Sequence, residues 1–187
     1  MPNFTGYKRI ILTKGKQTIV DVEDFNFLNQ WKWSFAPIGY AIRYIGGGRK
    51  RPKYIYMHQL LMKTPNRMET DHINRDRLDN RKSNLRIVTH QQNQFNKKQK
   101  NNSSNYKGVV KTSVGKGYMA RIIKDNKSFY LGYFQSSEEA AMAYDIAALI
   151  LFKQFCKLNF DGKYPSRLES YVVNLINKKL NQKIRCQ

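Results

Sequence analysis

Residues 70–96 read TDHINRDRLDNRKSNLRIVTHQQNQFN, and this stretch decides how the rest of the chain is read. Asp71-His72 closes one short strand, and Leu85–Val88 supplies an antiparallel partner beyond a polar loop. Thr89 followed by Gln92 is a capping box, so a helix begins there. On that helix Asn93 and Asn96 are i,i+3 neighbours that share a side. The implied object is a β-hairpin with a helix laid across it, converging a carboxylate, an imidazole and a carboxamide.

Phosphodiester hydrolysis can use that set. Carboxylate and amide oxygens are hard ligands suited to Mg²⁺. A neutral imidazole takes a proton from an attacking water near neutral pH. Adjacent strand residues point to opposite faces, so Asp71 and His72 serve one site only if the strand twists or bulges there. Plainer readings stand beside these. Asn84 also reads as a turn residue, and Asn93 as a solvated helix residue with Asn96 as the alternative ligand. His90 reads as a backbone or DNA contact, with a metal role as its alternative. His58 heads an apolar run and packs beneath the hairpin.

The chain has 187 residues, 41% of them hydrophobic, and a formal net charge of +21. It can therefore build a packed core, and its charge calls for a polyanion, with nucleic acid the default. The excess of base is spread over both halves, unlike a neutral enzyme with a cationic tail. No apolar run approaches the roughly 18 residues of a membrane span, and the N-terminus MPNFTGYKR lacks the apolar core of a secretory signal. Cys156 and Cys186 are far apart with no CxxC, which predicts free thiols in a reducing cytosol rather than a disulfide framework or zinc ribbon.

Upstream of the hairpin, Tyr7–Leu12 and Lys16–Val20 flank Thr13-Lys14-Gly15 as two strands of a hairpin. Trp31, Trp33 and Phe35 alternate with polar residues, as in a half-buried strand, and both tryptophans belong to the core. Tyr40, Ile42 and Tyr44 repeat the pattern, with Arg43 facing the other way. Gly46-Gly47-Gly48 before Arg49-Lys50-Arg51 lacks P-loop spacing and reads as a basic hairpin tip leading to Lys53–Met57.

Downstream, Lys97–Asn105 is a polar linker candidate. Tyr106–Lys111, Tyr118–Ile123 and Ser128–Phe134 read as three strands joined by Gly115-Lys116-Gly117 and Asp125-Asn126-Lys127 turns. Ser136 with Glu139 caps a helix whose Ala140, Ala143, Ala147 and Ile150 form a stripe for close packing. Pro165 opens a last helix in which Leu168, Val172 and Leu175 share a face, ending in Lys178-Lys179. Lys107, Lys111, Arg121, Lys124 and Lys127 are expected to share a sheet face with Tyr118 and Tyr130 and to meet DNA there. Alternation does put Lys107, Val109 and Lys111 on one side of their strand, a mixed face.

The fold class is thus α+β. A β-rich N-terminal region spans 1–57, the ββα motif 58–99, a linker 100–105, a three-stranded antiparallel sheet packed on one helix 106–160, and a basic C-terminal helix 161–187.

Residues 58–96, through MHQLLM and METDHINRDRLDNRKSNLRIVTHQQNQFN, resemble an HNH endonuclease of the ββα-metal fold, as in phage and intron homing enzymes. The resemblance implies His72 as general base, Asp71 as metal ligand and Asn93 as second ligand. It implies that Asn84 holds the loop and orients the imidazole. Asparagine stands at 93 where histidine is frequent in the family, which favours Mg²⁺ or Mn²⁺ over tightly held zinc. The leader ILTKGKQTIVDVEDFNFLNQWKW also resembles that found before such motifs. Residues 103–160, through SNYKGV, YMARI, FYLGYF, SSEEAAMAYDIAALILF and KLNF, resemble the plant-type ethylene-response-factor (Apetala-two) DNA-binding domain. That family lays its sheet in the major groove and braces it with the helix. Here Lys107, Val110, Tyr118 and Ile123 depart from its usual residues, so no target site carries over.

The two resemblances together imply a metal-dependent homing endonuclease that hydrolyses duplex DNA to 5′-phosphate and 3′-hydroxyl ends. One site per chain implies a nickase, acting as a monomer on DNA or cutting both strands as a dimer. The setting implied is cytoplasmic and nucleoid-associated, with a phage, intron or bacterial origin. The alternative is an inactive DNA-binding regulator that keeps the hairpin as a scaffold.

Overall fold

The computed structural model describes residues 6–97, 104–113 and 116–184, with side chains through Asn181. It divides into two compact units, 1–94 and 95–187. The architecture is α+β, built from several small antiparallel sheets and five α-helices.

The first unit opens with a hairpin, β1 (Tyr7–Ile11) against β2 (Gln17–Asp21), around a 3-10 turn at Thr13–Gly15. Lys14 and Gly15 both take positive φ in that turn. α1 (Val22–Asn29) follows, a helix that the alternating aromatics around it conceal. Glu23 and Asp24 in its first turn complement the helix dipole. The carboxylate of its N-cap residue, Asp21, accepts instead from the backbone N–H of Lys82. The strand expected from Trp31 onward shrinks to β3 (Ser34–Phe35). Trp33 is core and donates from Nε1 to the Leu28 carbonyl, whereas Trp31 is half-buried with the Arg43 guanidinium 4.1 Å from its ring. β3 pairs with β4 (Ala41–Gly46), which pairs with β5 (Lys53–Tyr56), and the basic glycine tip lies between them as expected.

α2 (Met57–Met62) then leads to the motif hairpin, β6 (Glu69–His72) against β7 (Leu85–Val88), with Asp71 opposite Arg86 and His72 opposite Leu85. α3 (His90–Asn96) completes the ββα order, and the boundary between the units falls inside it. Its capping box is reciprocal: Thr89 Oγ1 accepts from Gln92 N at 3.2 Å, and Gln92 Oε1 accepts from Thr89 N at 2.9 Å. The apolar core here is small, centred on Ile10, Leu12, Val20, Leu28, Trp33, Ala41 and Met57. Burying one such side chain contributes about 1.5–3 kcal/mol. Polar docking between β2 and the loop before β7 adds to that core.

The second unit is a sheet in the order β10-β9-β8, from β8 (Val109–Lys111), β9 (Tyr118–Lys124) and β10 (Lys127–Phe134). Asp125 and Asn126, both at positive φ, make the tight turn between β9 and β10. The expected linker falls mostly outside the described residues, as do Gly115 of the first turn and Cys186. α4 (Ser137–Phe152) is capped by Ser136 Oγ, which accepts from Glu139 N. Five of its alanines are fully buried, on more than one stripe, because the sheet covers one side and α5 (Ser166–Ile184) another. α5 runs beyond Lys178-Lys179, where the sequence suggested an end. Gly108 sits at φ +78°, and a Cβ there would lie 1.8 Å from the Tyr144 ring. The Asp145 carboxylate is fully buried and accepts from the backbone N–H groups of Asn159 and Phe160, tying α4 to the following loop.

Candidate active site

The hairpin buries Asp71 and His72 at the end of β6, and the β6–β7 register runs through both without a bulge. Alternation therefore holds along β6, so with no bulge it is the twist at the strand's last residue that brings the two side chains to one site, and the Asp71 carboxylate lies near enough to act on the His72 imidazole. Asp71 lies on the face it shares with Glu69, and its Oδ2 accepts from Arg86 Nε at 2.9 Å and from the terminal nitrogen at 2.7 Å. The His72 ring lies edge-on to His58 with centroids 5.0 Å apart, and 5.9 Å from Tyr40. His58 packs beneath the hairpin as expected. Burial and the neighbouring His72 push His58 down to about 3, so it is a neutral imidazole at physiological pH.

Burial also lowers the pKa of His72, against the opposing pull of its bond to Asn80 and the carboxylates of Asp71, Asp76 and Asp79. A buried imidazole kept neutral is the form that accepts a proton.

The loop between the strands is held by Asn84. Its Oδ1 accepts from Asn74 N at 2.9 Å, and its Nδ2 donates to Asn74 Oδ1 at 3.0 Å and to the Asp79 carbonyl at 2.9 Å. Asp79 is itself clamped by Arg81 and by Asn74 Nδ2. β2 docks the same loop through Ile19 N to Leu78 O and Asn80 N to Ile19 O. The loop-holding role fits Asn84, but the bond to the imidazole comes from Asn80, whose Oδ1 lies 3.3 Å from His72 Nε2. Nothing in LDNRKSN marks Asn80 above Asn84, because its partner Thr18 lies 62 residues away in sequence.

Asn93 stands over β6, where its Nδ2 donates to Glu69 Oε2 at 2.5 Å. His90 Nδ1 meets the other Glu69 oxygen at 2.6 Å, a contact the sequence did not suggest. Asn96 is buried and falls in the second unit. Asp71 and Glu69 share one face of β6 and Asn93 bonds Glu69, residue types whose oxygens suit a small divalent cation. Asp21, Glu23 and Asp24 also lie close together, but Lys82 Nζ bonds the last two at 3.1 and 2.7 Å.

In the second unit, register separates the expected DNA-facing residues. Arg121 and Tyr130 are paired across β9 and β10 and both are exposed, with Ile123 and Tyr133 on the same face. Tyr118 and Lys124 alternate to the side of Ala120 and Ile122, and Tyr118 packs on the core while Lys111 pairs with it at the sheet edge. The expectation of one shared face is corrected here, because positions 118 and 124 differ in parity from 121. Lys107 gives its ammonium to the carbonyls of Phe95 and Lys97, and its backbone to Asn159.

Three similarities bear on this site. The family model described as HNH endonuclease matches residues 63–95, the segment that builds the hairpin and α3. An uncharacterised HNH endonuclease of Acanthamoeba polyphaga mimivirus is 34% identical over 151 residues, which cover 80% of this chain and 79% of that protein. An ethylene-responsive transcription factor of Arabidopsis thaliana is 36% identical over 91 residues, 46% of this chain and 35% of that protein. HNH nucleases act on DNA and generally use a divalent metal. No helix among the described residues is long and apolar enough to cross a membrane. With a ββα hairpin that buries Asp71 beside His72 and sets Asn93 above the same strand, the chain belongs to the HNH endonuclease family.

Proposed function

We propose that this protein is a metal-dependent DNA endonuclease of homing type that hydrolyses one phosphodiester of a duplex per active site. The observation that carries the reading is the buried His72 imidazole, held neutral beside Asp71 at the end of β6. His72 takes the proton from the water that attacks phosphorus. Asn84 keeps the loop closed behind it, so that the base is fixed before substrate arrives. Asp71 and Asn93 would hold Mg²⁺ or Mn²⁺. When bound, the ion supplies positive charge against the phosphoryl and leaving oxygens. The ends produced are 5′-phosphate and 3′-hydroxyl.

Positioning on DNA falls to the sheet of the second unit. Arg121 and Tyr130 face the groove, while Lys111 on the edge strand β8 and Lys124 at the end of β9 reach phosphates from the margin of the sheet. Lys107 and Tyr118 act in packing instead. The chain works as a monomer on nucleoid DNA in the cytoplasm and leaves a nick.

The test is supercoiled plasmid carrying a candidate target, incubated with Mg²⁺ or with EDTA. Open-circle product that requires the ion supports the reading. Retardation without cleavage under any divalent ion supports a binding-only regulator, and linear product at first turnover by a proven monomer contradicts the nicking mode.

A further inference from the structure

Three buried side chains form a hydrogen-bond chain with a fixed direction. Thr18 Oγ1 donates to the Leu78 carbonyl at 2.7 Å, Asn80 Nδ2 donates to Thr18 Oγ1 at 2.7 Å, and Asn80 Oδ1 lies 3.3 Å from His72 Nε2. Thr18, Asn80 and His72 are at most 4% exposed. The direction follows from chemistry. A carbonyl only accepts, so the one hydroxyl proton of Thr18 is spent on Leu78. The hydroxyl oxygen must then accept, which turns the NH₂ of Asn80 toward Thr18 and its oxygen toward His72. An amide oxygen only accepts, so the proton of the neutral imidazole sits on Nε2 and the lone pair on Nδ1. Turning the Asn80 amide over would force the Thr18 hydroxyl to abandon Leu78, with loss of a buried hydrogen bond.

We propose that Asn80 and Thr18 are positioning residues for catalysis, and that together they lock His72 as the tautomer protonated on Nε2. The proposal rests on His72 being the general base. A base works only if its lone pair is on the nitrogen that meets the water, and an imidazole held in the other tautomer presents N–H at that place. The strand β2, in the leader that precedes the hairpin motif, thereby sets the tautomer of the site 54 residues further on.

The test uses full-length protein with ¹⁵N-labelled histidine, in EDTA at a pH where His72 is neutral. Long-range ¹H–¹⁵N correlation distinguishes the two tautomers without any turnover. Wild type is expected to show His72 protonated on Nε2. Thr18→Val removes the hydroxyl that orients Asn80, and is expected to give a mixture of tautomers with kcat lower by about tenfold and KM unchanged. Thr18→Ser is expected to restore both the single tautomer and the rate. Wild type protonated on Nδ1 overturns the proposal whether or not any variant folds. So does a Thr18→Val protein that keeps the single Nε2 tautomer, even if it melts earlier. Cleavage that survives in His72→Ala would overturn the assignment of the base instead, and would leave the tautomer spectrum of wild type as it was.

Discussion

Replacing Asn84 by alanine tests how the loop behind the site is held. Its side chain is buried and makes three hydrogen bonds, two of them with Asn74 and one with the Asp79 carbonyl. Alanine strands the carbonyl of Asp79 in a dry place, whereas Asn74 is exposed and its N–H can turn to water. A stranded buried carbonyl costs about 1–3 kcal/mol, so the expected loss is of that size. A domain of this size has only about 5–15 kcal/mol in total. Both tryptophans of the chain, Trp31 and Trp33, lie in the first unit, so their fluorescence follows that unit alone. With a urea slope of about 1–3 kcal/mol/M, the midpoint should fall by about 1 M. A shift below about 0.3 M would refute the argument that Asn84 holds the loop by these bonds.

Gly108→Ala should unfold the second unit, because the new Cβ would sit 1.8 Å from the Tyr144 ring at φ +78°, while tryptophan fluorescence of the first unit stays native. Circular dichroism alongside fluorescence separates the two. Asp79 predicts an acid limb for the first unit. Its bonds to Arg81 hold its carboxyl below the ordinary value of 3.8, so its contribution is fully present above that value and is lost as pH falls through the lower folded value. Urea midpoints taken down the acid range should therefore decline in wild type and decline less in Asp79→Asn. Arg49, Lys50 and Arg51 crown an exposed hairpin tip flanked by Tyr44 and Tyr54. If the tip meets the backbone of DNA, replacing all three by alanine reduces the salt slope of binding by about 0.9 per lost phosphate contact, and an unchanged slope denies it that role.

Much of this was legible in local sequence. The capping boxes at Thr89 and Ser136, the β6–β7 pairing and the Asp125-Asn126 turn each rest on neighbours within a few residues, and each formed as read. The family was legible from the spacing of Asp71, His72, Asn84 and Asn93 within the quoted stretch. What escaped depends on distant partners. α1 was concealed because its Phe25 and Phe27 run into the alternation of Trp31, Trp33 and Phe35, and tertiary packing decides such a segment. The partner of His72 was missed because Asn80 acquires its role only through Thr18 on β2. The sheet face went wrong by parity: counting charges along β8 and β9 does not say which of them face the helix, whereas the pairing of Arg121 with Tyr130 does.

The central claim is that His72 abstracts the proton in a hydrolysis that needs a divalent ion. Its most direct measurement is single-turnover cleavage of a target duplex by His72→Ala in Mg²⁺, with DNA retention measured on the same preparation. The account predicts retention near that of wild type and a cleavage rate lower by about 10²–10⁴-fold. A variant that binds and cuts like wild type would contradict it.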